Sequence, residues 1–161
     1  MTWKRSILVV ANITATSEAL LAELTRRAQR EPLIATLIVP ATSSEGGREA
    51  ARAQLQAALE SLRAAGIEAD GLIGDSDPIL AVSEAWDPKR YDEIIVSTLP
   101  MSESKWLHAG LPERIGKLTG AAVTHVAVPP PRAEAHTVVR KPEQAHLGIV
   151  TPLAGLWRRR T

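Results

Sequence analysis

The chain has no cysteine, which excludes disulfides, zinc–thiolate sites, iron–sulfur clusters and thiol catalysis. It has no apolar run of about 18 residues, the length a membrane-spanning helix needs. It has no strong charge of either sign. Nineteen Lys and Arg stand against 18 Asp and Glu, a formal net of +1, too little for a global drive toward nucleic acid. The first residues, Met1-Thr2-Trp3-Lys4-Arg5, lead into a short apolar segment that turns polar at Asn12. No signal-peptide core and cleavage site follow, so the cytoplasm is the expected address. Asn12-Ile13-Thr14 then carries no weight as a glycosylation sequon. Catalytic signatures are missing too. Ser97, Ser102, His108 and Asp92 are the right types for nucleophilic catalysis, but no G-x-S-x-G elbow accompanies them. The four histidines show no HExxH-like spacing, so a metal is not expected. Gly46-Gly47-Arg48 lacks the Lys-Ser/Thr of a phosphate loop.

What is present is the balance of a globular protein. The 161 residues are 45% hydrophobic and 23% charged, enough for one domain with its own core. Charge is uneven along the chain. Residues 1–128 carry 13 Lys and Arg against 16 Asp and Glu, a net of −3, whereas residues 129–161 carry 6 against 2, a net of +4. The break falls at Pro129-Pro130-Pro131, which cannot extend a sheet ladder. The chain therefore divides into a folded domain, 1–128, a Pro- and charge-rich linker, 129–145, and an apolar-basic segment, 146–161.

Within 1–128, apolar runs alternate with amphipathic stretches. Ile7-Leu8-Val9-Val10 has no alternation and reads as a strand buried on both faces. Thr14 or Thr16 is placed to cap a helix running to Arg30 through Leu20, Leu21 and Leu24. Leu33 to Val39 is a second strand. Glu49 to Ala65 is an amphipathic helix with Leu55, Leu59 and Leu62 on one face. Ile67 to Ile73 alternates weakly, as a strand near an edge does. Gly74-Asp75-Ser76-Asp77-Pro78 reads as a loop and cap, followed by a short helix to Trp86. Glu93 to Ser97 is a buried strand, Thr98 to Ala109 a long loop, Gly110 to Leu118 a helix and Ala122 to Val128 a last strand. The alternation implies right-handed crossovers and a parallel sheet. The expected fold is α/β: a single doubly wound five-stranded parallel sheet, order 3-2-1-4-5, with helices on both faces and a C-terminal extension. Ligands bind such sheets at the strands' carboxyl ends, where the order reverses. That switch point lies between the first and fourth strands. It brings together Ala11 to Thr14 and Ser97 to Pro100, with Val39-Pro40-Ala41 beside them.

These residues resemble the universal stress protein family, in order and spacing, over about residues 5–128. Ile7-Leu8-Val9-Val10-Ala11-Asn12 stands where the family has a strand ending in Asp. Gly74 to Pro78 resembles its Gly-Asp-Pro approach to the third helix. Tyr91-Asp92-Glu93-Ile94-Ile95-Val96 and Ala122 to Val128 resemble its fourth and fifth strands. The resemblance implies ATP binding through G-x2-G-x9-G-[ST] after the fourth strand. Here those positions are Ser97, Pro100, Gly110 and Leu111, so one of the four matches. Pro100 has no N–H and Leu111 no hydroxyl to offer a phosphate. The chain thus resembles a variant branch with a degraded ATP motif.

The pocket residues expected at the switch point are Asn12, Thr14, Val39, Ser97, Thr98, Ser102 and Gly110. ATP or AMP are the cofactors weighed, and none is required. The plain alternative is that Ser97 and Thr98 merely end a buried strand. Trp106, with Lys105 and His108, reads as a lid over its loop or as a ligand surface. Family members commonly dimerise through the last strand, which places Val123, His125, Val126 and Val128 at a homodimer seam. In the tail, Leu147, Ile149, Leu153, Leu156, Trp157, Arg158 and Arg159 form an apolar-basic motif suited to docking a protein partner or, more weakly, an anionic membrane. The expected function is a homodimeric regulatory or adaptor protein of the universal-stress type with a remodelled nucleotide pocket. An adenine-nucleotide sensor and, last, a small-molecule enzyme are the alternatives.

Overall fold

The computed structural model describes residues 3–129. Strand β1 spans Arg5–Val10. A 3-10 turn, Ile13–Thr16, precedes helix α1, Glu18–Arg30. Strand β2 is Leu33–Pro40, helix α2 Gly47–Ala64, strand β3 Glu68–Gly74 and helix α3 Pro78–Ala85. Strand β4 is Glu93–Thr98, followed by the single-turn helix α4, Lys105–His108, helix α5, Leu111–Thr119, and strand β5, Val123–Ala127. All four strand pairings are parallel and the order is β3-β2-β1-β4-β5. This is the architecture the alternating apolar runs demand. The linker beyond Pro129 and the motif from Leu147 to Arg159 lie outside the described residues. No described helix is long and apolar enough to cross a membrane.

Strand polarity explains the layers. Strands β1 and β4 sit between neighbours, and residues 7–10 and 93–98 are buried without a break. Ile7, Val9, Leu37 and Ile95 face α1 and α2, where Leu20, Leu24 and Leu62 close the first core. Leu8, Val10, Ile38 and Val96 face α3 and α5, closed by Val82, Leu111 and Ile115. Each such aliphatic side chain contributes about 1.5–3 kcal/mol by leaving water. Edge strand β3 shows the alternation of a half-covered strand, with Glu68, Asp70 and Leu72 exposed.

Two local features differ from expectation. Neither Thr14 nor Thr16 caps α1. Ser17 does, its Oγ accepting from the Leu20 N–H at 3.1 Å. The 3-10 turn delays the helix and turns Thr14 inward, to 4% exposure. The loop after β4 also contains a helical turn, α4, because Ser104 caps it by accepting from the Leu107 N–H at 3.1 Å.

Candidate functional site

A cavity of about 390 Å³ opens at the carboxyl ends of β1 and β4, where the strand order reverses and diverging crossovers leave a crevice. Its floor is a pair of buried hydroxyls. Ser97 Oγ donates to Thr14 Oγ1 at 2.9 Å, and Thr14 Oγ1 donates to the Ser97 carbonyl at 3.1 Å. The inward turn of Thr14 is what closes this ring. Asn12 Nδ2 donates to the Pro40 carbonyl and to Thr42 Oγ1, both at 2.9 Å. Thr42 Oγ1 in turn donates to Glu45 Oε1 at 3.1 Å. Asn12 therefore ties the end of β1 to the end of β2 and keeps only its carbonyl oxygen for a ligand.

The walls come from three crossovers. Asp77, Pro78 and Ile79 stand at the start of α3, where Asp77 caps the helix by accepting from the Ile79 N–H at 2.9 Å. Gly74 lets α3 settle there, since a Cβ on it would lie 2.6 Å from the Ala81 Cβ. Ser104, Lys105 and Trp106 line the opposite side. Trp106 is half-buried against the second core while it lines the cavity. Thr98 Oγ1 donates to the Leu99 carbonyl at 2.7 Å and lies 2.7 Å from His125 Nε2. With its proton spent, the hydroxyl accepts, and Nε2 carries the hydrogen.

Four expected residues, Asn12, Thr14, Ser97 and Thr98, line this cavity, and three do not. Val39 is fully buried in the first core, because its place in β2 points it toward α1 and α2. Ser102 is exposed on the loop. Gly110 starts α5 at φ +69° with its N–H donating to the Leu107 carbonyl at 3.0 Å. The sequence reading missed Glu45, Asp77, Glu103 and Arg114, which also line the space. The Asp77-Pro78 cap was legible as a helix start. Its closeness to β4 was not, because the two are joined only through the sheet.

The charges lining the cavity are Glu45, Asp77 and Glu103 against Lys105 and Arg114, a net of −1. This sign disfavours a polyanion. Three features bear on the triphosphate cradle that the resemblance implies. Pro100 offers no N–H, and its carbonyl accepts from the Glu103 and Ser104 N–H groups at 2.8 and 2.9 Å, closing the loop on itself. In α5, Pro112 removes another N–H from the first turn. The Glu113 carboxylate comes within 3.8 Å of where a Cβ on Gly110 would sit, so the amino end of α5 faces a negative charge of its own.

The opposite end of the sheet is ionic. Glu93, side chain 6% exposed, receives Arg5 Nε at 2.7 Å and also Arg27 Nη1. Arg27 further donates to Glu23 at 2.8 Å and to Thr124 Oγ1 at 3.2 Å. The Glu93 hydrogen bond raises the Arg5 pKa above its ordinary value. For Arg27, burial opposes the charge, and the bonds to Glu23 and Glu93 more than offset it. Hydrogen bonds from Arg26 and then Arg27 hold the Glu23 carboxyl below the usual carboxylate range. Among the described residues no group of three His, Asp or Glu is placed to hold a metal.

No protein-family model matches the chain, and no curated protein matches it in sequence. Solved structures do match. A universal stress protein from Archaeoglobus fulgidus superposes with a TM-score of 0.56 at 13% identity, over 78% of this chain and 95% of that one. A universal stress protein solved in complex with cAMP gives a TM-score of 0.45 at 20% identity, over 78% and 99% of the respective chains. The fold of this chain is that of the universal stress proteins.

Proposed function

We propose that the protein is a non-catalytic regulatory module of the universal-stress type, a homodimer whose switch-point cavity binds a small planar molecule without a phosphate chain. The observation that carries this reading is the cavity's composition. It pairs a hydroxyl floor and the Trp106 ring with a charged lining of net negative sign, while Pro100 and Pro112, in the neighbouring loop and helix start, have no N–H to offer a phosphate. A ring stacked on Trp106 gains about 1–3 kcal/mol, and Asn12 and Thr98 sit among polar groups that orient it. An uncharged or cationic heterocycle suits the net negative lining. Ser97 Oγ bonds Thr14, and the Thr98 hydroxyl, beside His125 Nε2, gives its proton to the Leu99 carbonyl, so neither hydroxyl is poised as a nucleophile.

The dimer is proposed through the outer rim of β5. The Val128 N–H donates to Thr98 at 2.8 Å. Alternation along the strand then turns the main-chain groups of Thr124 and Val126 toward β4, and those of Val123, His125 and Ala127 outward. Such a rim is a pairing template. The segment from Leu147 to Arg159 is proposed to dock a partner protein, and the cytoplasm to be where it acts.

Calorimetry with adenosine, AMP and ATP, together with mass spectrometry of molecules released from the purified protein, tests the cavity. The expected result is affinity that does not rise with phosphate number and falls about tenfold in Trp106→Ala. Stoichiometric ATP bound more tightly than adenosine would replace this reading with a nucleotide sensor.

A further inference from the structure

We propose a second binding site, at the amino end of the sheet, for a small oxyanion of the phosphate or pyrophosphate class. A cleft of about 410 Å³ lies there, lined by Arg5, Arg26, Arg27, Arg30, Glu31, Leu33 and Glu93. Its charged lining sums to +2, in a folded region, 1–128, whose overall net is −3. Ion pairing within the protein accounts for only part of this cluster. Arg27 engages all three of its nitrogens, on Glu23, Glu93 and Thr124. Among the described residues Arg5 uses Nε alone, on Glu93, which leaves both terminal nitrogens of its fork. Among the same residues Arg26 bonds only Glu23, through Nη2. Arg30 makes no salt bridge among the described residues. Arg26 and Arg30 are exposed, and among the described residues that are not exposed no buried side-chain nitrogen or oxygen lacks a partner, so the spare donors of Arg5 are open to solvent and to a ligand.

The buried Glu93 is what makes the cluster a site rather than a basic patch. It neutralises part of the charge from beneath and fixes the guanidinium of Arg5, so less side-chain freedom is lost when an anion arrives. Planar forks suit the paired oxygens of a phosphoryl group. Glu31, 3.8 Å from Arg5 Nε, is the internal competitor that an anion must outbid. The carbonyl end of α1 also opposes an anion, and Arg27 and Arg30 in its last turn offset that.

Titrating the full chain with pyrophosphate, at constant ionic strength set by chloride, tests the proposal by calorimetry and by amide and arginine side-chain NMR. Saturable shifts are expected at Arg5, Arg26, Arg30 and Glu31, and none at Asn12, Thr98 or Leu111. Arg30→Gln and Arg26→Gln, both exposed and outside the core, should each weaken binding about fivefold. Glu31→Gln should tighten it, by removing the competing carboxylate. Non-saturating shifts, shifts confined to the cavity or to Arg158-Arg159-Arg160, or unchanged affinity in Arg30→Gln would each overturn the site. So would a Glu31→Gln protein that binds no tighter.

Discussion

At the carboxyl end of the sheet, buried polarity is neutral. Ser97, Thr14 and Asn12 satisfy one another and the strand ends through hydroxyl and amide hydrogen bonds. At the amino end it is charged, with Glu93 and Glu23 holding Arg5, Arg26 and Arg27. The difference separates two jobs on one scaffold. A neutral floor can be uncovered to accept a ligand at modest cost, because hydroxyls and amides tolerate water or another partner. A buried ion pair cannot lose a member without leaving an uncompensated charge. The buried pairs of the ionic end are therefore suited to hold the strand ends together, which leaves its exposed arginines to meet a ligand, whereas at the neutral end the floor itself can exchange occupants. The net positive lining lies at the amino end, and the net negative one at the switch point.

The largest expected effect breaks the ionic end. Glu93→Gln removes the charge that both Arg5 and Arg27 address, while keeping the shape. A loss of about 3 kcal/mol is expected in urea unfolding, the lower end of the range for a broken buried pair, since both arginines reach solvent. Ser97→Ala at the neutral end should cost only about 1 kcal/mol, one hydrogen bond with a partner, Thr14, that still donates to the Ser97 carbonyl. Equal losses in the two proteins would abolish the contrast between the ends.

Gly74→Ala is expected between those two, at about 2 kcal/mol, through overpacking against Ala81 and Ile38. It sharpens the comparison because it displaces α3, and with it Asp77 to Ile79, from the cavity wall. Cavity binding should weaken by more than the stability loss suggests, while pyrophosphate binding at the amino end stays unchanged. A variant that loses both would show that the ends are coupled.

The contrast also divides what could be read from the sequence. Unbroken runs such as Ile7 to Val10 and Glu93 to Ser97 announced central strands, and the absence of hairpin turns announced parallel pairing. Strand order followed, and with it the switch point that placed Asn12, Thr14, Ser97 and Thr98 together. These are consequences of periodicity and chain direction, which a sequence carries locally. Val39 was misplaced on the cavity because one residue of phase decides which face a strand side chain takes. Glu93 looked like the polar start of an apolar strand. That Arg27 on α1 and Arg5 on β1 converge on it depends on register and crossover angle, which no local pattern encodes. Arg114 and Asp77 escaped for the same reason.

The smallest effect concerns acid. Hydrogen bonds from Arg26 and Arg27 lower the pKa of Glu23 in the folded state. A lowered carboxyl pKa contributes stability that is complete above the unfolded value, about 4.3, and is lost as pH falls through the folded value below it. Wild type should therefore exceed Glu23→Gln in stability by up to about 1 kcal/mol at neutral pH, a figure held down by the 54% exposure of Arg26. The two should converge as pH drops below about 4. Added salt should narrow the neutral-pH gap, because Arg26 is open to counterions. The same titration applied to Ser97→Ala should run parallel to wild type at every pH, since nothing on the cavity floor ionises there. Melting curves of the three proteins across that range would show the charged end responding to acid and the neutral end not. Parallel curves for Glu23→Gln and wild type would instead mean that Arg26 and Arg27 find no more of the charge in the folded chain than in the unfolded one.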